Sequence, residues 1–353
     1  MKMLQSYIGR SVLLAILGVT FLLVSLDLLF ALLTEVEELR ASYQLPQAIE
    51  FVLLTAPRRL YEMMPTGTLL GCLIALGALA NNSELVVMRA SGVSLLQILW
   101  ATLRPVLLVA LVGFLVGEYA APYTEQIAQS SRAVALGSGK ALYSRYGVWH
   151  REGSEYIHVN AVEPSGRLFD VTRLRFDDTG RLVQASHART ALFQGDHWFM
   201  EDVDVTEFGQ RETRASTFVT LDWYTSLTPG LLTLLTMNAE DLSVTGLWRY
   251  ANYLAEQGLD GAPYFLAFWN KLMQPLMMCA MVFIAISYVF GPLRQVTMGS
   301  RILAGIVTGL ALRYSEELTG TVALVYQFSL LAAAVVPVAI GVLIGLLAMR
   351  RAG

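Results

Sequence analysis

Apolar residues fall along this chain in long blocks, then in short alternating runs, then in long blocks again. The first block, Ser11 to Leu33, runs 23 residues with Asp27 as its only charge. Comparable blocks follow at roughly Leu60 to Ala80, Leu95 to Glu118, Tyr264 to Phe290, Ile302 to Thr321 and Leu330 to Met349. A helix of about 20 residues crosses a bilayer's hydrocarbon core, so the pattern predicts six spans. The first block lacks the short apolar core and small-residue cleavage site of a signal peptide and reads as a retained span. Pro46 to Ala56 predicts an interfacial helix.

Between the third and fourth blocks the period changes. Tyr146–His150, Tyr156–Val162, Leu168–Phe176, Leu182–Phe193, Trp198–Phe208 and Thr213–Trp223 are rich in Val, Phe, Tyr and Thr. Turn signals separate them, among them Glu152-Gly153-Ser154, Pro164-Ser165-Gly166, Asp177 to Gly180 and Gln194-Gly195-Asp196. Strands at this spacing predict a sandwich, a jelly roll or an open barrel. A helix from about Gly246 to Gln257, with Thr245 as N-cap and Gly258 past its end, leads back to the fourth block. The expected fold is an α-helical membrane protein with six transmembrane helices and an inserted all-β, jelly-roll-like domain. Residues 1–122 hold the first three spans, 123–261 the β domain with its linker helix, and 262–353 the last three spans.

One polar stretch between spans differs from the rest. Asn82 to Ser94 has N-cap candidates in Asn82 and Ser83 and closes at Gly92, which predicts a helix of about nine residues. It is too short to span; Glu84 and Arg89 mark its polar side and Leu85, Met88 and Val93, or Val86 and Ala90, its apolar side.

Composition agrees with a membrane protein that carries a water-exposed domain. Hydrophobic residues are 55% and charged residues 15%, too oily for one soluble domain and too charged for a bare bundle. A net charge of −3 offers no basic face for nucleic acid. Cys72 and Cys279 lie inside apolar runs, so no disulfide framework or zinc site is expected. Placing the N-terminus in the cytoplasm gives that side Lys2, Arg10, Arg89, Arg294, Arg301, Arg350 and Arg351 against Glu84. The other side's short segments carry Glu35, Glu37, Glu38, Glu50, Glu316 and Glu317 against Arg40, Arg58 and Arg59. Positive-inside then puts both termini and the 82–94 helix in the cytoplasm and the β domain outside.

Enzyme chemistry is not indicated. Gly137-Ser138-Gly139-Lys140-Ala141 fails as a phosphate loop, because Val134 and Ala141 stand where Gly and Ser or Thr are required. His150, His158, His187 and His197 all lie in the β region without the i, i+4 pairing of a helical zinc site. The charges inside spans are more informative, since a charge in hydrocarbon usually faces protein or water. Asp27 and Arg313 form either an interhelical ion pair, or Arg313 with Lys271 meets anionic groups of a ligand. Tyr156, Phe169, Phe176, Phe193 and Phe199 either line an apolar channel in the β domain or are plain core. Glu118 reads as a solvated helix end.

Several blocks together resemble one family. Leu76-Gly77-Ala78-Leu79-Ala80 followed by Ser83-Glu84-Leu85-Val86-Val87-Met88-Arg89-Ala90-Ser91-Gly92 is similar to the coupling-helix region of the LptF/LptG lipopolysaccharide-export permeases. Tyr7-Ile8-Gly9-Arg10, Gly117 to Pro122, Trp269-x-Lys271-x-x-Gln274-Pro275-Leu276 and Phe290 to Arg294 continue the likeness from end to end. The fourth-span motif favours the LptG branch.

The resemblance implies an inner-membrane permease subunit of an ABC transporter, not an enzyme. It binds no cofactor itself, ATP being used by a cytoplasmic ATPase dimer. A second permease of LptF type and a single-span jelly-roll partner of LptC type complete the complex. Lipopolysaccharide would leave the outer leaflet of the inner membrane and pass to a periplasmic β-jelly-roll bridge. Glu84, with Leu85, Met88 and Arg89, would dock on the ATPase; Lys271, Arg313 and Asp27, from their depth and charge, and Phe169 and Phe176, from the expected channel of the β domain, are the candidate lipid contacts. Some relatives have a basic residue where Ala31 stands here, and Arg40, Arg58 or Arg59 would replace it or be solvated. Two rivals are an integral-membrane lipid enzyme and a force-transmitting component that carries no lipid.

Overall fold

The computed structural model describes residues 2–39, 43–136, 143–162, 166–209, 212–229, 239–256, 260–290 and 297–352. Arg40, the 137–141 run and most of the 291–301 loop, including Arg294, therefore lie outside the described residues. The helices are α1 (Lys2–Glu37), α2 (Leu45–Leu54), α3 (Ala56–Asn81), α4 (Glu84–Ala90), α5 (Leu95–Leu115), α6 (Ala121–Leu136), α7 (Val244–Glu256), α8 (Ala262–Phe290), α9 (Met298–Tyr326) and α10 (Leu330–Ala352). A π-helical turn, Val116–Ala120, joins α5 to α6, and a 3-10 turn, Ala239–Asp241, precedes α7. The strands are β1 (Tyr143–Glu152), β2 (Glu155–Val162), β3 (Arg167–Phe176), β4 (Leu182–Phe193), β5 (Trp198–Phe208) and β6 (Thr213–Trp223).

Among the described residues, five helical segments have the length and composition to cross a membrane: Met3–Glu37, Ala56–Asn81, Leu95–Gln129, Ala262–Phe290 and Leu330–Leu347. The remaining long helix, α9, has 29 residues. Arg313, Glu316 and Glu317 place charges in its second half.

Close packing in the bundle rests on small residues four apart, which let helix backbones approach. A Cβ added at Gly71 of α3 would lie 2.5 Å from the Cα of Ile16 on α1, and one at Gly67 would lie 2.1 Å from Thr20 Oγ1. Ile8, Val12 and Ile16 of α1, the Leu69–Leu76 stretch of α3, Ile98 of α5 and Val282 to Ile286 of α8 form one continuous core. Several expected boundaries shift. The interfacial helix ends at Leu54, and α3 begins at Ala56 rather than near Leu60, because Pro57 suits a helix's first turn. The 82–94 helix contracts to Glu84–Ala90, with Ser83 at φ 61° before it and Gly92 at φ 91° after it.

The β insertion is one antiparallel sheet in sequential order, β1 to β6. It is a meander, without the crossing connections of a Greek key. It is also strongly curled. Arg173 on β3 lies 5.1 Å from the ring of Trp223 on β6, whereas three strand spacings in a flat sheet are about 14 Å. Glu152 at the end of β1 accepts hydrogen bonds from Thr225 Oγ1 and from Ser226 N, just beyond β6. Curling wraps one face around Ile157, Val159, Leu168, Val171, Met200, Val203, Trp198 and Trp223, all fully buried.

Candidate functional site

At the end of the bundle where α3 turns into α5, α4 is seated by its apolar side. Leu85 (2% exposed) and Met88 (7%) belong to the bundle core. This corrects their expected place on a docking face: three residues apart, they share the side that a two-turn helix must bury to stay put. Outward it presents Val86, Val87, Arg89 and Ala90, with Glu84 half-buried. The Asn82 side-chain amide donates to Glu84 Oε1 at 3.5 Å, at the start of α4.

The opposite end, beside the β domain, is held by charge. Asp27 on α1 meets Arg59 on α3, Nη1 to Oδ2 2.6 Å. The expected pairing of Asp27 with Arg313 is thus corrected, since the early start of α3 brings Arg59 to the level of Asp27. Arg58 bonds Glu62 at 2.6 Å and Glu125 of α6 at 3.2 Å, and stands 3.5 Å from Asp241. Arg132 of α6 pairs with Glu35 of α1, whose carboxylate also accepts from Tyr43 Oη at 2.9 Å. Arg58 and Arg59 are therefore paired rather than solvated.

Two further groups close this end. Lys271 donates to the Leu242 carbonyl at 2.6 Å, with its Nζ 5.7 Å from the Tyr61 ring centroid. It holds the returning linker onto α8. Glu118, in the π-helical turn, accepts from Val244 N at 2.7 Å and from the Thr245 hydroxyl at 2.7 Å. It caps α7, a helix that begins 126 residues later, and is no solvated end. A carboxylate here satisfies orphan N–H groups and the positive end of the helix dipole. No local sequence signal announces such a remote cap.

Arg313 is different. Its side chain is exposed on α9 beside exposed Leu310 and Tyr314 and has no hydrogen bond or ion pair among the described residues. Glu316, one turn on, is close enough to feel its charge without forming an ion pair, and an exposed guanidinium on a long apolar helix is set up for an anionic group or a water-lined cavity.

In the β domain, alternation sorts the expected aromatics. Leu168 and Val171 face the buried side, Asp170 between them sits at φ 51° with the pairing register on both neighbouring strands unbroken, and Phe169 stays only half-buried. Phe169 pairs in register with Thr190, next to which Glu201 follows on β5. Tyr156 and Phe176 meet edge-to-face at 5.3 Å outside the core, and Phe199 alternates with buried Trp198 and Met200. Of the five, only Phe193 packs on the interior. Below the sheet, Tyr253 of α7 donates to or accepts from His150 Nε2 at 3.0 Å. Burial holds the His150 imidazole below its ordinary value. Burial pushes the Glu152 carboxyl up, but the bonds from Thr225 and Ser226 outweigh it and leave the acid lowered. Among the described residues no three His, Cys, Asp or Glu side chains are placed to hold a metal.

Comparison with known proteins gives one answer over the whole length. The family described as lipopolysaccharide export system permease LptF/LptG matches residues 6–351. The chain is 34% identical to the lipopolysaccharide export system permease protein LptG of Haemophilus influenzae over 340 residues, 95% of this chain and 94% of that one. It is 33% identical to the protein of the same name from Escherichia coli K12 over 352 residues, 99% and 98% of the two chains.

Proposed function

The chain belongs to the LptF/LptG family of lipopolysaccharide export permeases, and from that premise we propose that it is the LptG-type subunit of an ABC transporter. In this reading both termini and α4 lie in the cytoplasm, and the β domain lies in the periplasm. Lipopolysaccharide is drawn from the outer leaflet of the inner membrane and handed through the curled sheet to a periplasmic β-jelly-roll bridge. The partners are a cytoplasmic ATPase dimer that uses the ATP, an LptF-type permease and an LptC-type single-span protein.

The observation that carries this is a division of labour among the arginines. Arg58 and Arg132 are consumed in linking spans to α6, the helical stalk that leads to the β domain, and Arg59 in linking α3 to α1, while Arg313 is exposed and in no ion pair among the described residues. Arg313 supplies a charge-assisted contact for a lipid phosphate, and the sheet's apolar interior, with Met200 and Val203, receives acyl chains. On the other side of the membrane, Glu84, Arg89, Val86 and Val87 meet the ATPase, and Leu85 and Met88 carry that motion into the bundle core. ATP-driven movement of α4 as a rigid peg changes the spacing of the spans.

Photo-crosslinking from Leu310 on α9 and from Met200 in the sheet, with and without ATP, tests the proposal in the assembled complex. Glycolipid adducts at Leu310 without ATP and at Met200 with ATP are expected. Arg313→Ala is expected to lower the Leu310 yield about tenfold while assembly is retained. Absence of glycolipid at both positions would favour the second reading, a force-transmitting component, which the ion-paired stalks also suit.

A further inference from the structure

A second unneutralised arginine lies at a different depth. Arg104 is on α5, nine residues after Leu95, so its Cα is about 13 Å into the helix. Its side chain is exposed and no acidic partner exists among the described residues. Its two contacts are Gln5 Oε1 on α1 at 3.4 Å and the ring of Trp100, one turn earlier, whose centroid is 5.8 Å from Cζ. Both contacts draw the guanidinium back towards the end of the bundle that carries α4. That is the direction in which an arginine below a membrane surface reaches for headgroups.

What surrounds it has the form of a lipid. Trp100, at 48% exposure, shares the outward face of α5 with Leu108, Leu111 and Leu115, all more than 45% exposed. From Arg104 to Leu115 this stripe rises about 16 Å, roughly half the hydrocarbon thickness of a bilayer. α1 closes one side of it: Gly9 approaches the Ala101 carbonyl, so the two helices are in direct contact beside Arg104. A tryptophan at headgroup level, a cation without a counter-ion and an apolar strip one leaflet long occur together.

We propose that Arg104, Trp100 and Gln5 hold the phosphate of an anionic phospholipid in the cytoplasmic leaflet, its acyl chain lying along Leu108, Leu111 and Leu115. The site is separate from Arg313 in helix and in leaflet. It rests on the orientation proposed above, which places α4 and this end of α5 in the cytoplasm. The occupant is anionic because the guanidinium is not neutralised by the protein, and a zwitterionic headgroup would leave the net positive charge in place. By bridging α1 and α5, the lipid would brace that pair of helices.

The test uses the complete export complex in nanodiscs of mixed phosphatidylglycerol and phosphatidylethanolamine. Native mass spectrometry counts retained lipids, and a photo-crosslinker at Leu108 identifies the neighbour. Wild type is expected to retain phosphatidylglycerol in preference to phosphatidylethanolamine. Arg104→Gln should lower that retention about tenfold, and Arg104→Lys should keep part of it. Equal retention by Arg104→Gln, loss of headgroup preference in wild type, or adducts at Leu108 to protein alone would each overturn the site. Cysteine accessibility at Ser300 and at Gly166 reads orientation independently. Same-side labelling of the two would sink the topology, whereas opposite-side labelling with no phosphatidylglycerol at Leu108 would sink only the lipid site.

Discussion

The two ends of the helical bundle are secured by opposite physics. At the α4 end, two apolar side chains, Leu85 and Met88, are pressed into a core shared with α1, α3, α5 and α8. At the β-domain end, Arg58, Arg59, Arg132 and Lys271 are bonded to groups on α1, α3, α6 and the 3-10 turn with its following residue. Apolar packing is indifferent to direction, while hydrogen-bonded ion pairs fix register and orientation. The contrast suits their tasks: α4 has only to move with the bundle, whereas the two stalks must present a large domain at a set angle. Buried ion pairs stabilise little relative to apolar replacements but cost much when broken one-sidedly.

The largest expected effect follows from that asymmetry. Arg58→Ala removes the cation beside Glu125, 1% exposed and otherwise bonded by Gln129, and beside Asp241, 8% exposed, and should destabilise the protein by about 3–5 kcal/mol. The thermal midpoint of the purified complex would report it, with proteolysis within the stalks as a second readout. A loss under about 1 kcal/mol would mean that water already screens this network and that the contrast between the two ends is weaker than argued.

A smaller effect separates the two sides of α4. Leu85→Ala should cost about 2–4 kcal/mol through the cavity it leaves, and Val87→Ala, on the exposed side, within about 0.5 kcal/mol. In ATPase-coupled export the order should change, since Val87→Ala touches the proposed partner surface directly. If both variants were equally destabilised, α4 would be packed on both sides within the chain and free to dock nothing.

These same regions show what a sequence discloses. Strand limits were legible: the expected Leu182–Phe193, Trp198–Phe208 and Thr213–Trp223 are the observed β4, β5 and β6, because period-two patterns and Gly-containing turns are local signals. The long helices were legible for the same reason. Pairings were not. Asp27 finds Arg59, 32 residues away, rather than Arg313, because the partner depends on where α3 starts, and a one-turn shift moves a side chain about 5 Å along the axis. The side of Phe169 was hidden by the left-handed backbone at Asp170, φ 51°, which breaks strict alternation so that both Leu168 and Val171 face the core. For Leu85 and Met88, composition marked an apolar side of α4 without saying whether it faced the bundle or a partner.

The mildest expected effect concerns the joint where the sheet meets α7. His150 is buried and kept neutral: its Nε2 meets Tyr253 Oη at 3.0 Å, and Glu152 nearby opposes the lowering without cancelling it. The unfolded chain would take up a proton at the ordinary value of 6.5, and the folded chain resists until lower pH. Since the folded value is the lower one, the unfolded state binds more protons in between. The stabilisation from His150 is therefore complete above 6.5 and is lost as pH falls through the folded value. Glu152, also lowered, loses its share in a more acidic window, below its ordinary 4.5. Protection of α7 amides against hydrogen exchange, corrected for the slower intrinsic exchange at lower pH and followed from about pH 7 to pH 5, should decrease as pH falls, and this component should vanish in His150→Gln. Unchanged pH dependence in that variant would assign the loosening to other groups. It would leave the β domain's attachment to the ion pairs of α6 and the 3-10 turn, sharpening the contrast with α4.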